Sequence, residues 1–290
     1  MLSDWFRILR PAHWIKNLFV LAPLLFAQQL FDLQLAWSAL AAAALFCAIS
    51  SSVYALNDVL DAERDRAHPL KATRPVAAGR IRPAAALAGA VVLGGGGLVG
   101  AFWLRPAFGL VCAGYLGLNV LYSTVIKRVA FLDVISIALG FVLRVVGGAV
   151  AIGVVFSAWL VACTFFLACL LGFGKRRHEL ETLAGGTSRT RPALAGYSRS
   201  SLRIAEWATA AVTLAAYLAY TVAPGTVAKF GGHQLLFSLP FPAFGMWRYL
   251  RLVAARRDRP PTESLVTDLP SMINLAVWVL VIVIALYDVI

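Results

Sequence analysis

Residues 35–65 read LAWSALAAAALFCAISSSVYALNDVLDAERD, an apolar segment that ends in a run of carboxylates. The apolar part, 35–56, is long enough to cross a bilayer as a helix, which takes about 20 residues. At roughly 100° per residue, Asp58, Asp61 and Asp65 fall within about a 60° arc of one helical face. Carboxylates at a membrane are costly and usually functional. The stretch therefore predicts a membrane helix with a site at its end.

The carboxylates of this segment indicate a metal. Three carboxylates on one stripe repel one another unless a positive charge lies among them. A hard divalent cation such as Mg²⁺ takes oxygen ligands and is commonly held by one or two carboxylates together with substrate phosphates. We therefore predict a Mg²⁺ site at Asn57, Asp58, Asp61 and Asp65, with phosphate chemistry at a membrane surface. For the loop that follows, which carries Lys71 and Arg74, the alternative is a solvated segment whose charges neutralise one another.

The composition predicts an all-α, multi-pass membrane protein that forms a single domain over residues 1–290. The chain is 60% hydrophobic and 14% charged, with a mean hydropathy of +0.79, whereas soluble domains carry about 25% charged residues. Two of the nine apolar runs are interrupted by proline, the first by Pro23 and the eighth by Pro240 and Pro242. The nine predicted spans are 15–31, 35–56, 84–104, 106–126, 130–152, 155–174, 204–222, 234–252 and 270–289.

The placement of charge predicts the orientation. Nearly all of the 26 Lys and Arg residues lie in the N-terminal segment and in the connections that follow the even-numbered spans. The positive-inside rule places those regions in the cytoplasm. We therefore expect a protein of the inner (plasma) membrane whose site faces the cytoplasm. The net charge of +12 favours contact with the anionic lipid bilayer, and no nucleic-acid partner is expected.

Charged residues elsewhere add candidates for phosphate binding. Lys71 and Arg74 follow the aspartates and could hold phosphate oxygens, arginine bidentately and lysine as a point charge. Asp133 and Arg144 lie in the fifth span, about 16 Å apart along a helix. Because that separation excludes a direct ion pair, each needs a partner elsewhere in the bundle or a substrate. A structural salt bridge to another span is the alternative.

Two further motifs have competing interpretations. The run from Gly174 to Glu181 begins GKRR where the sixth span meets the cytoplasm, and it could bind phosphate or only anchor the span. The four consecutive glycines at 94–97 lack the Lys-Ser/Thr of a phosphate-binding loop. Close packing of helices through small residues is the favoured interpretation of these glycines.

Taken together, these motifs resemble the UbiA superfamily of intramembrane prenyltransferases over nearly the whole chain. The resemblance rests on Asn57-Asp58-x-x-Asp61-x-x-x-Asp65, His68-Pro69 and Arg74-Pro75, together with nine spans. It is closer to one branch, the decaprenyl-phosphate phosphoribosyltransferases. The segments similar to that branch are Arg10-Pro11-x-x-Trp14-x-Lys16-Asn17, Arg144-x-x-Gly147-Gly148, Gly174-Lys175-Arg176-x-x-Glu179-Leu180 and Tyr197-Ser198.

One departure from the parent family favours this branch. Aromatic prenyltransferases carry a second aspartate-rich motif after the sixth span, which holds a second metal on the isoprenyl diphosphate. This chain has Lys175, Arg176 and Arg177 there, with only Glu179 and Glu181. A cationic surface suits direct binding of phosphate oxygens, and so fits a polyanionic sugar donor.

The resemblance implies an activity. It is the Mg²⁺-dependent transfer of 5-phosphoribose from 5-phosphoribosyl-1-diphosphate to a polyprenyl (decaprenyl-type) phosphate, with release of pyrophosphate. Asp58, Asp61 and Asp65 would act through the metal. The expected substrate-binding residues are Lys16, Asn57, Lys71, Arg74, Lys127, Arg144, Lys175, Arg176, Arg177, Glu179 and Tyr197. Two alternatives stay open: transfer of a prenyl group from a prenyl diphosphate to an aromatic or other acceptor, and a non-catalytic transporter or lipid-binding protein.

Overall fold

The computed structural model describes residues 2–67, 71–183, 192–255, 264–265 and 267–287. These residues are mainly helical and include no strand, which confirms the all-α fold class; His68 and Pro69 lie outside them. The α-helices are α1 (Leu2–Leu9), α2 (Ala22–Phe26), α3 (Leu33–Leu60), α4 (Ala62–Arg66), α5 (Pro83–Leu104), α6 (Pro106–Thr124), α7 (Leu132–Ile152), α8 (Ala158–Leu183), α9 (Arg199–Val222), α10 (Pro224–Phe230), α11 (Pro240–Ala254) and α12 (Leu269–Tyr287). The 3₁₀ helices are Pro11–Leu21, Ile126–Arg128, Pro192–Gly196 and Gln234–Ser238.

The number of spans differs from the prediction. Within the described ranges, 6 helices are long and apolar enough to cross a membrane, and the pair α9 and α10, bent by 55°, adds a seventh if it is counted as one broken span. The predicted spans 15–31 and 234–252 are each built from shorter helices. Pro23 and Pro240 stand in the first turns of α2 and α11, because proline lacks the N–H that would continue a helix. The count of nine is therefore not confirmed.

Contacts between residues divide the chain into two compact units. The first contains residues 1–127 and 140–156, and the second contains residues 128–139 and 157–290. Helix α7 contributes its first part to the second unit and its remainder to the first. Each unit contains one of the two candidate clusters of charged residues.

In the first unit, α3 packs closely against α5 through small residues. A Cβ atom added at Gly94 would lie 2.9 Å from Ser52 Oγ, and one added at Gly97 would lie 2.7 Å from Ile49 Cγ1. Both contacts are too tight for a side chain, so glycine is needed where the helices meet. This geometry confirms the packing interpretation of the glycine run at these two positions.

The second unit packs α8 against α9 and α11, with Leu170, Ala210 and Tyr249 in its core. Both units also present large apolar side chains on their outer surfaces. Trp103 is 91% exposed in the first unit, and Trp207 is 59% exposed in the second. Apolar surface of this kind is expected where helices face lipid.

Candidate functional site

The aspartates at the end of α3 lie among arginines in the first unit. Arg10 Nη2 donates a hydrogen bond to Asp58 Oδ1, and Arg74 Nη1 lies 3.3 Å from the same oxygen. Arg74 Nη1 also donates to Asp65 Oδ2 at 2.6 Å. The side chains of Asp58 and Asp65 are 1% and 5% exposed. Since a buried carboxylate needs a partner to offset its lost hydration, Arg74 stabilises both charges at once.

An unusual backbone conformation brings Arg10 to this cluster. Arg10 has φ 52° and ψ 60°, in the left-handed region, between α1 and the 3₁₀ helix that starts at Pro11. For a residue other than glycine this conformation costs about 1–2 kcal/mol. The guanidinium also lies over the ring of Tyr54, 5.2 Å from its centroid. The ion pair with Asp58 and this cation–π contact offset the backbone strain.

Asp61 is placed differently from its two neighbours. It lies at the junction of α3 and α4, where its Oδ1 accepts a hydrogen bond from Lys127 Nζ at 2.8 Å. Its side chain is 28% exposed. The described residues contain no group of three His, Cys, Asp or Glu side chains arranged to hold a metal ion. In this structure Arg10, Arg74 and Lys127 supply the positive charge that the carboxylates require, and metal binding by the aspartates stays a prediction.

Asn57 offers an acceptor beside this cluster. Its Oδ1 atom is buried and has no hydrogen-bond partner among the described residues. A buried polar atom without a partner costs about 1–3 kcal/mol, so this oxygen suits a cation or a donor supplied by a ligand. Asn57 and the carboxylates of Asp58, Asp61 and Asp65 supply only oxygen donors, the chemistry that Mg²⁺ prefers. The donor types therefore fit Mg²⁺, although in this structure the aspartates contact Arg10, Arg74 and Lys127 instead.

A cavity of about 460 Å³ opens beside Asp58 in the first unit. Its size lies within the range of small-molecule sites. Three arginines and a single carboxylate face it, so it suits an anion. The lining residues are Arg7, Arg10, Asp58, Thr73, Arg74 and Pro75.

The loop that forms one wall of this cavity is tied to α1. Arg80 donates to Asp4 Oδ1 at 2.8 Å and to the carbonyl of Thr73 at 2.6 Å. The hydrogen bond from Arg80 lowers the pKa of Asp4, which keeps that carboxylate charged. This link holds Thr73 beside the arginines of the cavity.

Arg144 lies deeper in the first unit and is buried, with 5% of its surface exposed. It donates from Nε to Asn17 Oδ1 at 2.7 Å, from Nη1 to the carbonyl of Gly140 at 2.9 Å, and from Nη2 to the hydroxyl of Tyr115 at 2.8 Å. Arg144 is thus bonded to Asn17 and Tyr115 on other elements and to Gly140 on its own helix, and all three acceptors are neutral.

In the second unit, Arg176 forms a buried ion pair with Asp133. The Nε–Oδ2 distance is 2.6 Å, and Arg176 Nη1 reaches Glu179 Oε2 at 2.7 Å. Tyr197 donates to Asp133 Oδ1 at 2.6 Å and accepts from the backbone N–H of Phe131 at 2.7 Å. Burial, reinforced by Asp133, raises the pKa of Tyr197, so its hydroxyl stays protonated as a donor. Asp133 therefore also has a partner other than Arg144.

Arg177 is held in the same way. It lies 2.7 Å from Glu206 Oε2 and 3.2 Å from Glu181 Oε1. Glu206 is fully buried. The cationic surface expected at 175–177 is thus not formed by Arg176 and Arg177, because both guanidinium groups are turned toward carboxylates. Their role as substrate ligands, and that of Glu179 and Tyr197, stays a prediction.

The lysines among the predicted site residues lie nearer the surface. Lys16 and Lys71 are partly exposed, in the 3₁₀ helix Pro11–Leu21 and in the loop after α4, and Lys175 is exposed on α8. Lys127 was expected to bind substrate, and in this structure it contacts Asp61. Their exposure leaves these side chains within reach of a ligand from solution.

Several residues of the two clusters are not among the ligands that the sequence predicts. Arg7 and Arg10 line the cavity, and the sequence signal that could have indicated them is two arginines three residues apart beside Pro11. The sequence indicates Asn17 only through the segment from Arg10 to Asn17, which is similar to the phosphoribosyltransferase branch. Glu206, the only acidic residue of α9, could have been suspected because a lone carboxylate in an apolar helix needs a partner.

Comparison with known proteins decides the family. A model described as the UbiA prenyltransferase family matches residues 17–277. The chain belongs to this family. A UbiA homolog from Archaeoglobus fulgidus, solved with GPP and Mg²⁺, matches the fold with a TM-score of 0.73 over 98% of this chain and 99% of that one. At 19% sequence identity, this likeness concerns the fold alone.

Relatives within the UbiA family agree with the branch expected from the motifs. The decaprenyl-phosphate phosphoribosyltransferase of Mycolicibacterium smegmatis is 34% identical over 207 residues, which cover 70% of this chain and 65% of that protein. The Corynebacterium glutamicum protein of the same name is 29% identical over 288 residues, or 97% of this chain and 86% of its own length. The chain is therefore a UbiA family member similar to the decaprenyl-phosphate phosphoribosyltransferases, as its motifs indicated.

Proposed function

We propose that this chain transfers 5-phosphoribose from 5-phosphoribosyl-1-diphosphate to a polyprenyl phosphate, with release of pyrophosphate. The observation that carries the proposal is the cavity of the first unit, where Arg7, Arg10 and Arg74 surround a single buried carboxylate. A sugar donor with a diphosphate at one end and a phosphate at the other matches this excess of positive charge. The relatives named decaprenyl-phosphate phosphoribosyltransferase support the same reaction.

Mg²⁺ would be held by Asp58, Asp61 and Asp65, with Asn57 as a further oxygen donor. When bound, the ion neutralises charge on the departing diphosphate. Arg10 and Arg74, which now contact the aspartates, would then turn to phosphate oxygens of the donor. Metal and guanidinium groups would then both balance the charge of the same leaving group.

The reaction needs little proton chemistry. An oxygen of the acceptor phosphate bonds to C1 of the ribose, the bond from C1 to the diphosphate oxygen breaks, and pyrophosphate leaves with that electron pair. Since the nucleophile is already an anion, a strong general base is unnecessary. The arginines and Thr73 position the donor, and their charges stabilise the charge that develops on pyrophosphate.

Prenyl transfer from a prenyl diphosphate to an aromatic or other acceptor is the second candidate. It gains support because Arg176 and Arg177 form ion pairs with Asp133 and Glu206, which removes part of the case for a second phosphate site in place of a metal. A solved member of this fold was bound to GPP and Mg²⁺. The cavity of three arginines keeps the sugar donor as our first choice.

The reaction would take place at the cytoplasmic face of the inner membrane. This orientation follows from the positive-inside rule applied to the connections that carry most of the Lys and Arg residues. A water-soluble sugar diphosphate would reach the cavity from that side, while the polyprenyl chain stays in the bilayer.

A direct assay distinguishes the two candidates. The purified protein is incubated with Mg²⁺, polyprenyl phosphate and sugar donor labelled in the ribose, and the organic phase is examined for label. A parallel reaction contains labelled geranyl diphosphate and an aromatic acceptor. Label from ribose in the lipid supports the proposal. If only the labelled prenyl diphosphate gives a labelled product, the sugar-donor reaction is excluded and prenyl transfer is the function.

A further inference from the structure

Arg144 is a buried cation whose charge is not balanced by its neighbours. Among the residues that the structure describes, no carboxylate lies within ion-pair distance of its guanidinium, and the three acceptors it contacts are the neutral oxygens of Asn17, Gly140 and Tyr115. A buried charge without a counter-ion is unfavourable in a low-dielectric interior. The arrangement is therefore suited to an anion supplied from outside the chain.

The guanidinium also has donors to spare. Arginine carries five N–H groups, and the three hydrogen bonds use one on each nitrogen. One N–H is left on Nη1 and one on Nη2. Two N–H groups on the terminal nitrogens of a planar guanidinium match two oxygens of a phosphate.

Neighbouring groups hold this cation in place. Asn17, which is 1% exposed, donates to Ser50 Oγ at 3.2 Å and to Cys47 Sγ at 3.1 Å on α3. A Cβ atom at Gly148 would overlap the carbonyl oxygen of Val20. Glycine at 148 thus lets the 3₁₀ helix Pro11–Leu21 approach α7 closely enough for Asn17 to reach Arg144.

The surroundings of the guanidinium indicate which anion it takes. Its carbon lies 4.7 Å from the ring centre of Tyr115 and 5.3 Å from that of Phe141. Tyr115 belongs to the apolar cluster that includes Phe46 and Phe108. An anion attached to an apolar chain loses less on entering such a region than a fully hydrated ion does, because its chain gains apolar contacts there.

We propose that Arg144, with Asn17 and Tyr115 as its supports, binds the phosphate monoester of the lipid acceptor. This inference rests on the proposed function and adds to it a separation of roles. The arginines of the cavity bind the sugar donor, and Arg144 binds the acceptor. A lipid phosphate and free phosphate both offer oxygens to a guanidinium, so the experiment compares these two sources.

The test measures binding without sugar donor or Mg²⁺. Full-length protein in detergent is titrated with farnesyl phosphate, with farnesol and with inorganic phosphate, and both affinity and thermal unfolding are followed. We expect farnesyl phosphate to bind and to raise the unfolding temperature, with at least tenfold weaker binding of the other two. Arg144→Gln should weaken the binding of farnesyl phosphate about ten- to a hundredfold. The unfolding temperature of this variant should no longer rise when the ligand is added.

Arg105→Gln is the matched control. Arg105 also belongs to the first unit, but it is exposed after α5 and contacts the carbonyl of Val150, so its variant should bind as the wild type does. If Arg144→Gln does not fold, Arg144→Lys decides, because it retains the charge without the planar fork. We expect about a tenfold loss for lysine. A wild-type affinity in Arg144→Lys would overturn the proposal.

Other outcomes separate this inference from the proposed function. A folded Arg144→Gln protein with wild-type affinity for farnesyl phosphate, or inorganic phosphate that binds as tightly as farnesyl phosphate, would overturn the lipid-phosphate site. The same variant transferring labelled ribose with an unchanged KM for the acceptor would do so and leave the proposed function standing. Arg144-dependent binding of farnesyl phosphate without any ribose transfer would support the site and contradict the sugar-donor reaction.

Discussion

Arg176 and Asp133 form an ion pair in which both side chains are almost completely withdrawn from solvent, at 2% and 0% exposure. Pairing of this kind makes each partner dependent on the other. Removal of one leaves an uncompensated charge, which costs more than the pair itself contributes. Removal of Arg176 should therefore lower the stability of the fold, whereas removal of a substrate ligand at the surface should not.

Arg176→Ala should destabilise the protein by about 3–5 kcal/mol, since Asp133 would be left buried without its cation. Thermal unfolding in detergent, followed by circular dichroism, measures the effect. The exposed neighbour provides the control, and Lys175→Ala should change stability by less than about 1 kcal/mol. If Arg176→Ala unfolds like the wild type but has a raised KM for the donor, Arg176 is a substrate ligand and the ion pair is incidental.

Arg74→Gln should bind Mg²⁺ more tightly than the wild type when no phosphate ligand is present. Arg74 competes with a metal for Asp58 and Asp65, and glutamine leaves their charges available. The same variant should bind pyrophosphate about ten- to a hundredfold more weakly, because a charge-assisted hydrogen bond is worth about 1.5–3 kcal/mol. Calorimetric titration measures both ligands. Arg82→Gln is the control because Arg82 is exposed before α5. Weaker Mg²⁺ binding in Arg74→Gln would contradict the exchange of arginine for metal.

Asp61→Asn should abolish turnover and leave the fold intact. Its pair with Lys127 is partly exposed, at 28% and 16%, and pairs of this kind contribute about 0–1 kcal/mol. The unfolding temperature should therefore change little, while ribose transfer falls below detection at all Mg²⁺ concentrations. Asp58→Asn should also be inactive, but with a loss of stability, because Arg10 and Arg74 lose a buried partner. Turnover near the wild-type rate in either variant would remove the metal assignment.

The orientation can be tested with reporter fusions. A reporter after Ala72, in the loop that carries Arg74, should report the cytoplasm, and one after Gly225 should report the opposite side. Selective labelling of single cysteines at the same positions gives an independent measurement. Detection of both positions on one side of the membrane would exclude the proposed arrangement of spans.

The sequence predicts the helices of this fold better than it predicts their partners. Long apolar runs predict helices because each is continuous, whereas the runs interrupted by Pro23 and Pro240 break into shorter helices. The position of the aspartate cluster is also predictable, because its carboxylates follow an apolar helix. Its partner Arg10 lies 48 residues away from Asp58, and no local pattern predicts a contact at that separation.

The same limit applies to the second cluster. The position of Asp133 in a span indicates that it needs a partner, but the sequence offers three basic residues, Lys175, Arg176 and Arg177. Arg176 is the partner because it is the buried one, and its burial depends on how α7 and α8 pack. Charge patterns therefore predicted which residues need partners, and the tertiary structure determined which partners they have.

Gly148 should be one of the least replaceable residues of the chain in genetic experiments. Even alanine there would collide with the carbonyl of Val20. Because the Cβ atom alone causes the collision, polar and apolar side chains are excluded equally. Random mutagenesis should find almost no tolerated replacement. Second-site suppressors of Gly148→Ala should map to Pro11–Leu21, where a shifted backbone can relieve the collision. The positions of the recovered suppressors would identify, in living cells, the residues through which the N-terminal segment packs against α7.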